Sequence, residues 1–312
     1  MTIGIGAFGP NAGLAVYRAL RAAEKVGTGA IGGFATFAAI TEDGRVLYSV
    51  TQRGGASTAF TDGEITGVEP WPDFASARVA AVISSGPDRP GDLTRLIPTN
   101  PAVGLVTGHR IPLTKGTNGI QMNLDALTRM QAGSSAVTAA HSVTDESPGA
   151  DCGLICVDVA GRIGVCNTER VKRRPDVATL LREDQVTGSA VGVLHNSINP
   201  FGAVAELAAA VAIETMAEVA ASNGFVTIRA GTPIALGAED AVFCDPNGNV
   251  LRVTTTDPAF VNQTKLAAPY LASSVWIGES RAGQTTAEPF TSAEHGFLNS
   301  FNGKGEFRIP YR

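Results

Sequence analysis

The chain has 312 residues, of which 44% are hydrophobic and 17% are charged. This balance supports a sizeable core and argues against a disordered chain or a coiled coil, because both need more charged residues. The net charge of −5 argues against a protein that binds duplex nucleic acid, which needs a basic face to neutralise phosphates.

Three helices, each followed by a β-hairpin, are predicted along the chain. Each hairpin is an apolar strand, a turn that ends in Gly44, Gly161 or Gly248, and a second strand. Asp and Asn stabilise such turns, and glycine adopts the positive φ that they need. Apolar residues at i, i+3 and i+4 spacing predict the helices. The helices cover residues 12–25, 124–140 and 201–221, and the hairpins cover residues 36–49, 153–166 and 241–253.

This alternation predicts an α+β fold with mainly antiparallel sheets, because the strands of a hairpin are antiparallel and the helices must cover the sheets. No linker rich in Pro, Ser or charge is long enough to divide the chain. The sequence therefore predicts a single domain over residues 1–312, with three helix-plus-hairpin units.

The same composition predicts a cytoplasmic protein that makes no contact with a membrane. Residues 1–8 have neither a basic region nor a long apolar run, so no secretory signal is expected. The most apolar stretch, residues 201–221, contains three glutamates that a membrane-spanning helix would not tolerate. Four cysteines in a chain of this length do not form a disulfide framework.

Two long segments, residues 51–73 and 83–113, are rich in Gly, Pro, Thr and Asp, and long loops often carry binding residues. Arg53, Gly54 and Gly55 lie in the first of these segments. Arginine can hold a carboxylate through two hydrogen bonds while the glycines let the backbone come close. These three residues are candidates for substrate binding, and the alternative is a surface turn with a solvated arginine.

His195 and Asn196 are further candidates for substrate binding, because they lie just before the predicted helix at 201–221. A helix N-terminus attracts anions, and histidine is a common general base. The alternative is structural, with Ser197 or Asn199 capping the helix.

The sequence predicts neither a cofactor nor a metal site. Residues 27–32 match G-x-G-x-x-G but follow a predicted helix and precede a predicted strand, the reverse of the order that a dinucleotide site requires. Residues 4–9 also match, but only three residues precede them and no acidic residue clearly ends a second strand. The histidines are far apart and do not form metal-ligand spacings with the cysteines. They are His109, His141, His195 and His295.

Cys152 is the candidate nucleophile. It follows the loop at 148–151 and begins an apolar strand, a position that favours an exposed thiol at a sheet edge. The alternative is a small buried thiol, which is also the interpretation favoured for Cys156, Cys166 and Cys244.

Residues 124–136 form a predicted helix and a turn containing Gly and Ser that resemble the N-terminal-nucleophile (Ntn) hydrolases. The likeness is to the γ-glutamyltransferase and isoaspartyl-peptidase (plant-type asparaginase) group and to uncharacterised Ntn-like bacterial families. In that group a nucleophile, an apolar strand and an Asp-x-x-Gly turn follow the helix, and residues 152–161 are similar to this pattern. Residues 53–56 also resemble a segment of the nylon-oligomer-hydrolase group.

The resemblance implies an αββα sandwich and an amidohydrolase that acts on a small amide or on a γ-glutamyl or isopeptide-like bond. In such enzymes cleavage frees the nucleophile, and its new α-amino group acts as the base, without a metal. Cys152 would be the nucleophile, Asn167 and Thr168 would bind substrate or form the oxyanion hole, and Arg53 would hold a carboxylate. Thr2 is a second candidate nucleophile, since Met is often removed before Thr.

Two other hypotheses remain open. One is a non-catalytic binding protein that keeps the fold, and its weakly charged surface would suit self-association into a homo-oligomer. The other is a metal-free hydrolase that is not cleaved and uses His195 or His109 as its base.

Overall fold

The computed structural model describes residues 2–220, 224–261 and 266–312. Contacts between residues divide the chain into two compact units, Met1–Ala220 and Ala221–Arg312, where the sequence predicts one domain. The elements of the first unit, in chain order, are β1 (Thr2–Phe8), α1 (Ala12–Val26), β2 (Ala35–Ile40), β3 (Val46–Thr51), α2 (Ala56–Ala59), β4 (Thr61–Asp62), β5 (Ile65–Thr66), α3 (Pro72–Ala75), β6 (Val79–Ser85), β7 (Thr99–Asn100), β8 (Gly104–Arg110), α4 (Met122–Gln131), α5 (Ala136–Glu146), β9 (Cys152–Asp158), β10 (Ile163–Asn167), α6 (Glu169–Lys172), β11 (Val177–Asp184), β12 (Ser189–Asn196) and α7 (Phe201–Ala220).

Two antiparallel sheets form the centre of the first unit. The six-stranded sheet has the order β11-β12-β1-β6-β2-β3, and the four-stranded sheet has the order β10-β9-β8-β7. Every neighbouring pair in these two sheets is antiparallel. Strand β1 lies inside the six-stranded sheet, between β12 and β6.

Three apolar cores separate four layers. The first core lies between the six-stranded sheet and helices α1 and α7, and includes Ile5 and Leu20. The second lies between the two sheets and includes Ile83 and Ile155. The third joins the four-stranded sheet to α4 and α5. This αββα arrangement confirms the predicted α+β class with mainly antiparallel sheets.

The first two predicted hairpins are confirmed as β2–β3 and β9–β10. Their turn glycines, Gly44 and Gly161, have φ values of 79° and 95°, which only glycine adopts at little cost. The predicted helix over 124–140 is instead two helices, α4 and α5. Gly133 has a φ of 99° and ends the first, and the Ser135 hydroxyl accepts a hydrogen bond from Thr138 N and caps the second.

The glycines of the first G-x-G-x-x-G match have a packing role. Gly4 and Gly6 lie within β1 and face the four-stranded sheet. A Cβ atom on Gly4 would be 2.3 Å from the carbonyl oxygen of Gly108, and one on Gly6 would be 2.8 Å from the methyl groups of Ile155 and Val157. The absence of side chains at these positions therefore allows the two sheets to come close together.

The second unit is built mainly from strands. Its core includes Val226, Ile234, Val242 and Leu298. The third predicted hairpin lies here, whereas the helix predicted before it is α7 of the first unit; residue 221 of that prediction lies outside the described residues. The strands are β13 (Gly224–Arg229), β14 (Thr232–Leu236), β15 (Ala241–Cys244), β16 (Val250–Thr255), β17 (Leu266–Ala267), β18 (Ser274–Ile277), β19 (Ser280–Gln284), β20 (Phe290–Glu294), β21 (Phe297–Phe301) and β22 (Glu306–Tyr311).

Eight of these strands form one sheet of order β17-β20-β21-β14-β16-β15-β18-β19, and β13 pairs with β22. The pairs β14–β16 and β15–β18 are parallel, and the third hairpin, β15–β16, is antiparallel. Among the described helices of the whole chain, none has the length and apolar character needed to cross a membrane.

Candidate active site

Thr2 begins β1 and lies on the face of the six-stranded sheet that is directed at the four-stranded sheet. Side chains alternate along a strand, so Ile3 faces the helices of the first core whereas Thr2 shares the inter-sheet face with Gly4. Its neighbours across the strands are Ser85 on β6 and Asn196 on β12, which lie on the same face. Thr2 is 7% exposed.

A cavity of about 380 Å³ opens at this end of β1, and Thr2 and Ser85 both line it. The rest of the wall comes from the 86–96 segment, from the residues that end and follow β8, and from the apolar side chains of Phe34, just before β2, and Ile83 on β6. The other lining residues are Phe34, Ile83, Arg89, Pro90, Asp92, Leu93, Arg95, Leu96, Arg110, Ile111, Pro112 and Leu113. The wall thus combines apolar groups with three arginines and one carboxylate.

The arginines are held in different ways. Arg89 donates from Nη2 to the Ser85 hydroxyl at 3.0 Å, and its guanidinium lies 5.6 Å from the centroid of the Phe34 ring. Arg110 forms two hydrogen bonds to Asp151, with Nε 2.9 Å from Oδ1, and these bonds lower the pKa of Asp151. Within the described part of the chain, neither Arg89 nor Arg95 forms an ion pair with a carboxylate.

A polar network lies beside Thr2, at the end of β12. Asn196 donates from Nδ2 to Ser197 Oγ at 3.0 Å, and the Ser197 hydroxyl donates to Asp176. Arg174 donates from Nη2 to the same carboxylate at 2.6 Å. Burial opposes ionisation of Asp176, but the hydrogen bonds from Ser197 and Arg174 lower its pKa.

Three buried polar atoms of this network have no hydrogen-bond partner among the described residues: Asn196 Oδ1, Asp176 Oδ1 and Arg174 Nε. Buried polar atoms are normally paired, so a group of unpaired ones indicates a position where water or a ligand binds. The unpaired oxygen of Asn196 belongs to the residue that is directly opposite Thr2 on the neighbouring strand.

The four-stranded sheet contributes His109 and Asn167 to the inter-sheet space. His109 Nε2 donates to Asn167 Oδ1 at 2.7 Å across Gly153, where a Cβ atom would be 2.1 Å from that oxygen. Asn167 Nδ2 donates to Thr179 Oγ1 at 2.8 Å. The amide of Asn167 therefore bonds to His109 and Thr179, and Asn167 does not line the cavity beside Thr2. Burial lowers the pKa of His109 to about 4, so its imidazole is neutral at pH 7.

Cys152 does not lie at an exposed edge. It is 0% exposed and belongs to the core between the four-stranded sheet and α4 and α5. Burial raises the pKa of its thiol, which disfavours the reactive thiolate. Thr168 is also buried, and its hydroxyl donates to the carbonyl oxygen of Ala150 at 2.7 Å. Neither residue lines the cavity.

His195 faces the helices and not the cavity. Its Nε2 donates to the carbonyl oxygen of Phe201 at 2.8 Å, and burial lowers its pKa. The imidazole thus connects β12 to the first residue of α7. Of the pair His195 and Asn196, only Asn196 lies on the face that Thr2 shares.

Arg53 does not line the cavity, but it contacts the 86–96 segment, which forms part of the cavity wall. Arg53 is exposed and pairs with Asp88, with Nε 3.0 Å from Oδ1. Its neighbour Gln52 donates from Nε2 to the carbonyl oxygen of Arg89 at 2.8 Å and accepts from Arg89 N at 2.8 Å. These contacts attach the end of β3 to the segment that carries Arg89.

Gly54 and Gly55 form a turn against the loop after α1. Their amides donate to the carbonyl oxygens of Gly32 and Gly33 at 3.1 and 2.8 Å. A Cβ atom on Gly55 would be 2.0 Å from the carboxylate of Glu24, which accepts a hydrogen bond from Ala56 N at 3.0 Å. Both residues have a positive φ, 89° for Gly54 and 55° for Gly55, which glycine adopts at little cost, and neither lines the cavity.

The structure thus brings together Thr2 and Asn196 from the sequence-predicted candidates and adds Ser85, Arg89 and Arg95, which sequence reasoning missed. Composition gave a signal for the latter three, since all lie in the 83–113 segment that was expected to carry binding residues. No group of three His, Cys, Asp or Glu side chains in the described ranges is arranged to hold a metal ion.

Family comparisons also divide the chain into two parts, with a boundary a few residues after the one that the contacts give. Residues 2–225 match the model described as Domain of unknown function (DUF6963), and residues 231–306 match the one described as Domain of unknown function (DUF7259). No curated protein and no solved structure matches the chain. Because the first match covers well over half of its length, the chain belongs to the DUF6963 family.

Proposed function

We propose that this protein is an Ntn-type amidohydrolase in which Thr2, freed by removal of Met1, is the nucleophile. The observation that carries the proposal is the position of Thr2. It is the first residue of an inner strand, it faces the space between the two sheets of an αββα sandwich, and it lines a cavity. The proposal replaces Cys152 with Thr2 because the Cys152 thiol is fully buried.

The reaction would proceed through an ester of Thr2. The hydroxyl oxygen attacks the amide carbonyl carbon while its proton passes to the free α-amino group of the same residue. The C–N bond then breaks, and the leaving amine takes that proton. Water attacks the ester in the second half of the reaction, the α-amino group accepts a proton from it, and the Thr2 oxygen leaves as a hydroxyl.

Two features of the site support this chemistry. Asn196 Oδ1, opposite Thr2 on β12, has no partner among the described residues and can accept a hydrogen bond from the α-amino group. Arg89 and Arg95 place positive charge in the cavity wall, where it can bind an anionic group of the substrate and orient the amide towards Thr2.

A β-lactone electrophile that acylates N-terminal threonines tests the proposal. Intact mass of the freshly purified protein is expected to show loss of Met1, and one adduct per chain should map to the peptide that begins at Thr2. Thr2→Ala should abolish the adduct and Thr2→Ser should keep it. Cys152→Ala is the matched control and should label as the wild type does.

Retention of Met1, or an adduct on Cys152, would overturn the proposal. The two open alternatives make other predictions. A non-catalytic homo-oligomeric binding protein would give no adduct. A hydrolase based on His109 or His195 would lose turnover when that histidine is replaced, although neither ring lines the cavity.

A further inference from the structure

The cavity wall has more positive than negative charge. Arg89, Arg95 and Arg110 line it, and Asp92 is its one carboxylate among the lining residues. The carboxylate of Asp92 accepts hydrogen bonds from the amide and the hydroxyl of Thr94, both at 2.9 Å. Asp151 occupies the guanidinium of Arg110 through two hydrogen bonds. Arg89 and Arg95 are therefore the cations that remain for a ligand.

The rest of the wall is apolar. Phe34, Ile83 and Leu93 are buried in the inter-sheet core and present part of their surface to the cavity. Ile111 and Leu113 add apolar surface after β8. A volume of about 380 Å³ lies within the range of pockets that take small organic molecules. The cavity thus suits a ligand with both an anionic group and an apolar group.

The position of Arg89 places the anionic group close to the nucleophile. Its Nη2 is 3.0 Å from the hydroxyl oxygen of Ser85, and Ser85 is the cross-strand neighbour of Thr2. A guanidinium binds a carboxylate through two parallel hydrogen bonds, which fixes the orientation of the ligand. The carboxylate of the ligand and the carbonyl carbon that Thr2 attacks would therefore be separated by a few covalent bonds.

We infer that the substrate is an amide that carries a free carboxylate and an apolar side chain, such as an N-acyl derivative of an apolar amino acid. The carboxylate binds Arg89 and Arg95, and the side chain occupies the apolar wall. This inference rests on the proposed function for the reaction, but the choice of ligand depends on the cavity alone.

Calorimetric titration of the Thr2→Ala variant tests the choice of ligand separately from the proposed reaction. The ligands are N-acetylphenylalanine, its neutral amide, and N-acetylglycine, which keeps the carboxylate but lacks the apolar group. N-acetylphenylalanine is expected to bind about tenfold or more tightly than either of the others, since a charged hydrogen bond and a buried ring each contribute that much.

Arg89→Gln and Arg95→Gln, introduced singly into that variant, should each remove most of the preference for the carboxylate over the neutral amide. Arg182→Gln is the matched control, because Arg182 lies on β11, is paired with Glu206 of α7 and does not line the cavity. Equal binding of the acid and the neutral amide, or unchanged binding in both arginine variants, would overturn the inference. Selective binding of the acid by the Thr2→Ala variant, together with no β-lactone adduct on Thr2 of the wild type, would support the inferred ligand and reject the proposed reaction.

Discussion

Cys152 shows how burial decides between two roles of one residue. Its side chain is 0% exposed in the core against α4 and α5, so Cys152→Ala should lower the free energy of unfolding by about 1 kcal/mol through lost packing. Cys152→Ser should cost more, because the hydroxyl would be buried among apolar groups. Denaturant unfolding measures both. Equal turnover per folded molecule in wild type and Cys152→Ala is the expected accompanying result.

Glu24 predicts a pH dependence of stability. Burial raises its pKa from 4.5 to about 7, against hydrogen bonding from Ala56 and the charge of Arg21. The folded state therefore binds the proton more tightly than the unfolded chain does. The stabilisation is complete below the unfolded pKa of 4.5 and is lost as the pH rises through about 7.

In Glu24→Gln this pH dependence should be absent. The wild type should lose about 1–3 kcal/mol more than the variant between pH 4.5 and pH 8, a range that allows for the partial exposure of the carboxylate. Urea unfolding at several pH values measures the difference. Parallel profiles for the two proteins would show that Glu24 is ionised throughout this range.

The separate residues of the site were only partly predictable from the sequence. Thr2 and Asn196 stand out by type and by position, at the start of a strand and before a helix. Ser85 and Arg89 carry no motif, because they reach Thr2 only through the register of β1 with β6. Cys152 looked exposed because strand position does not show which helices cover a strand end.

At the scale of an element, the packing of β1 against the four-stranded sheet depends on glycines, which have no side chain. Gly4→Ala would place a Cβ atom 2.3 Å from the carbonyl oxygen of Gly108, and backbone on both sides leaves little room to adjust. We expect a loss of about 2–4 kcal/mol in the free energy of unfolding, as is typical of overpacking against backbone. Gly202→Ala in α7 is the control, since nothing lies within 4 Å of its added Cβ and alanine favours helices.

Thermal unfolding of the two variants measures the difference. A melting temperature for Gly4→Ala equal to that of Gly202→Ala would show that the sheets can separate without cost.

The sequence indicated strands, hairpins and helices well because each is a local pattern. It did not show the break between α4 and α5, since Gly133 and Ser135 are also compatible with a helix that continues through them.

At the scale of the whole molecule, the cores predict that the first unit folds alone. The three cores that form its layers contain residues before position 220, and the fourth core contains residues after position 224. A protein of residues 1–220 should therefore show cooperative unfolding, and its Thr2 should react with the β-lactone as in the full chain. Circular dichroism and intact mass test this.

Aggregation of that shorter protein, or unfolding without a transition, would contradict this expectation.

The layered antiparallel architecture was predictable from alternating helices and hairpins, because few arrangements cover both sheets. The division into two units was not, since it falls between α7 and β13 with no change in composition that marks a linker.

The contact between the end of β3 and the 86–92 segment has a consequence for how this protein can diverge. Gln52 and Arg53 hold Arg89 from outside the cavity, through the backbone and through Asp88. Substitutions at positions 52 and 53 can therefore shift ligand preference among relatives while every lining side chain stays the same. Two such relatives would have identical lining residues and different ligand preferences, so a comparison of the lining alone would assign the wrong ligand to one of them.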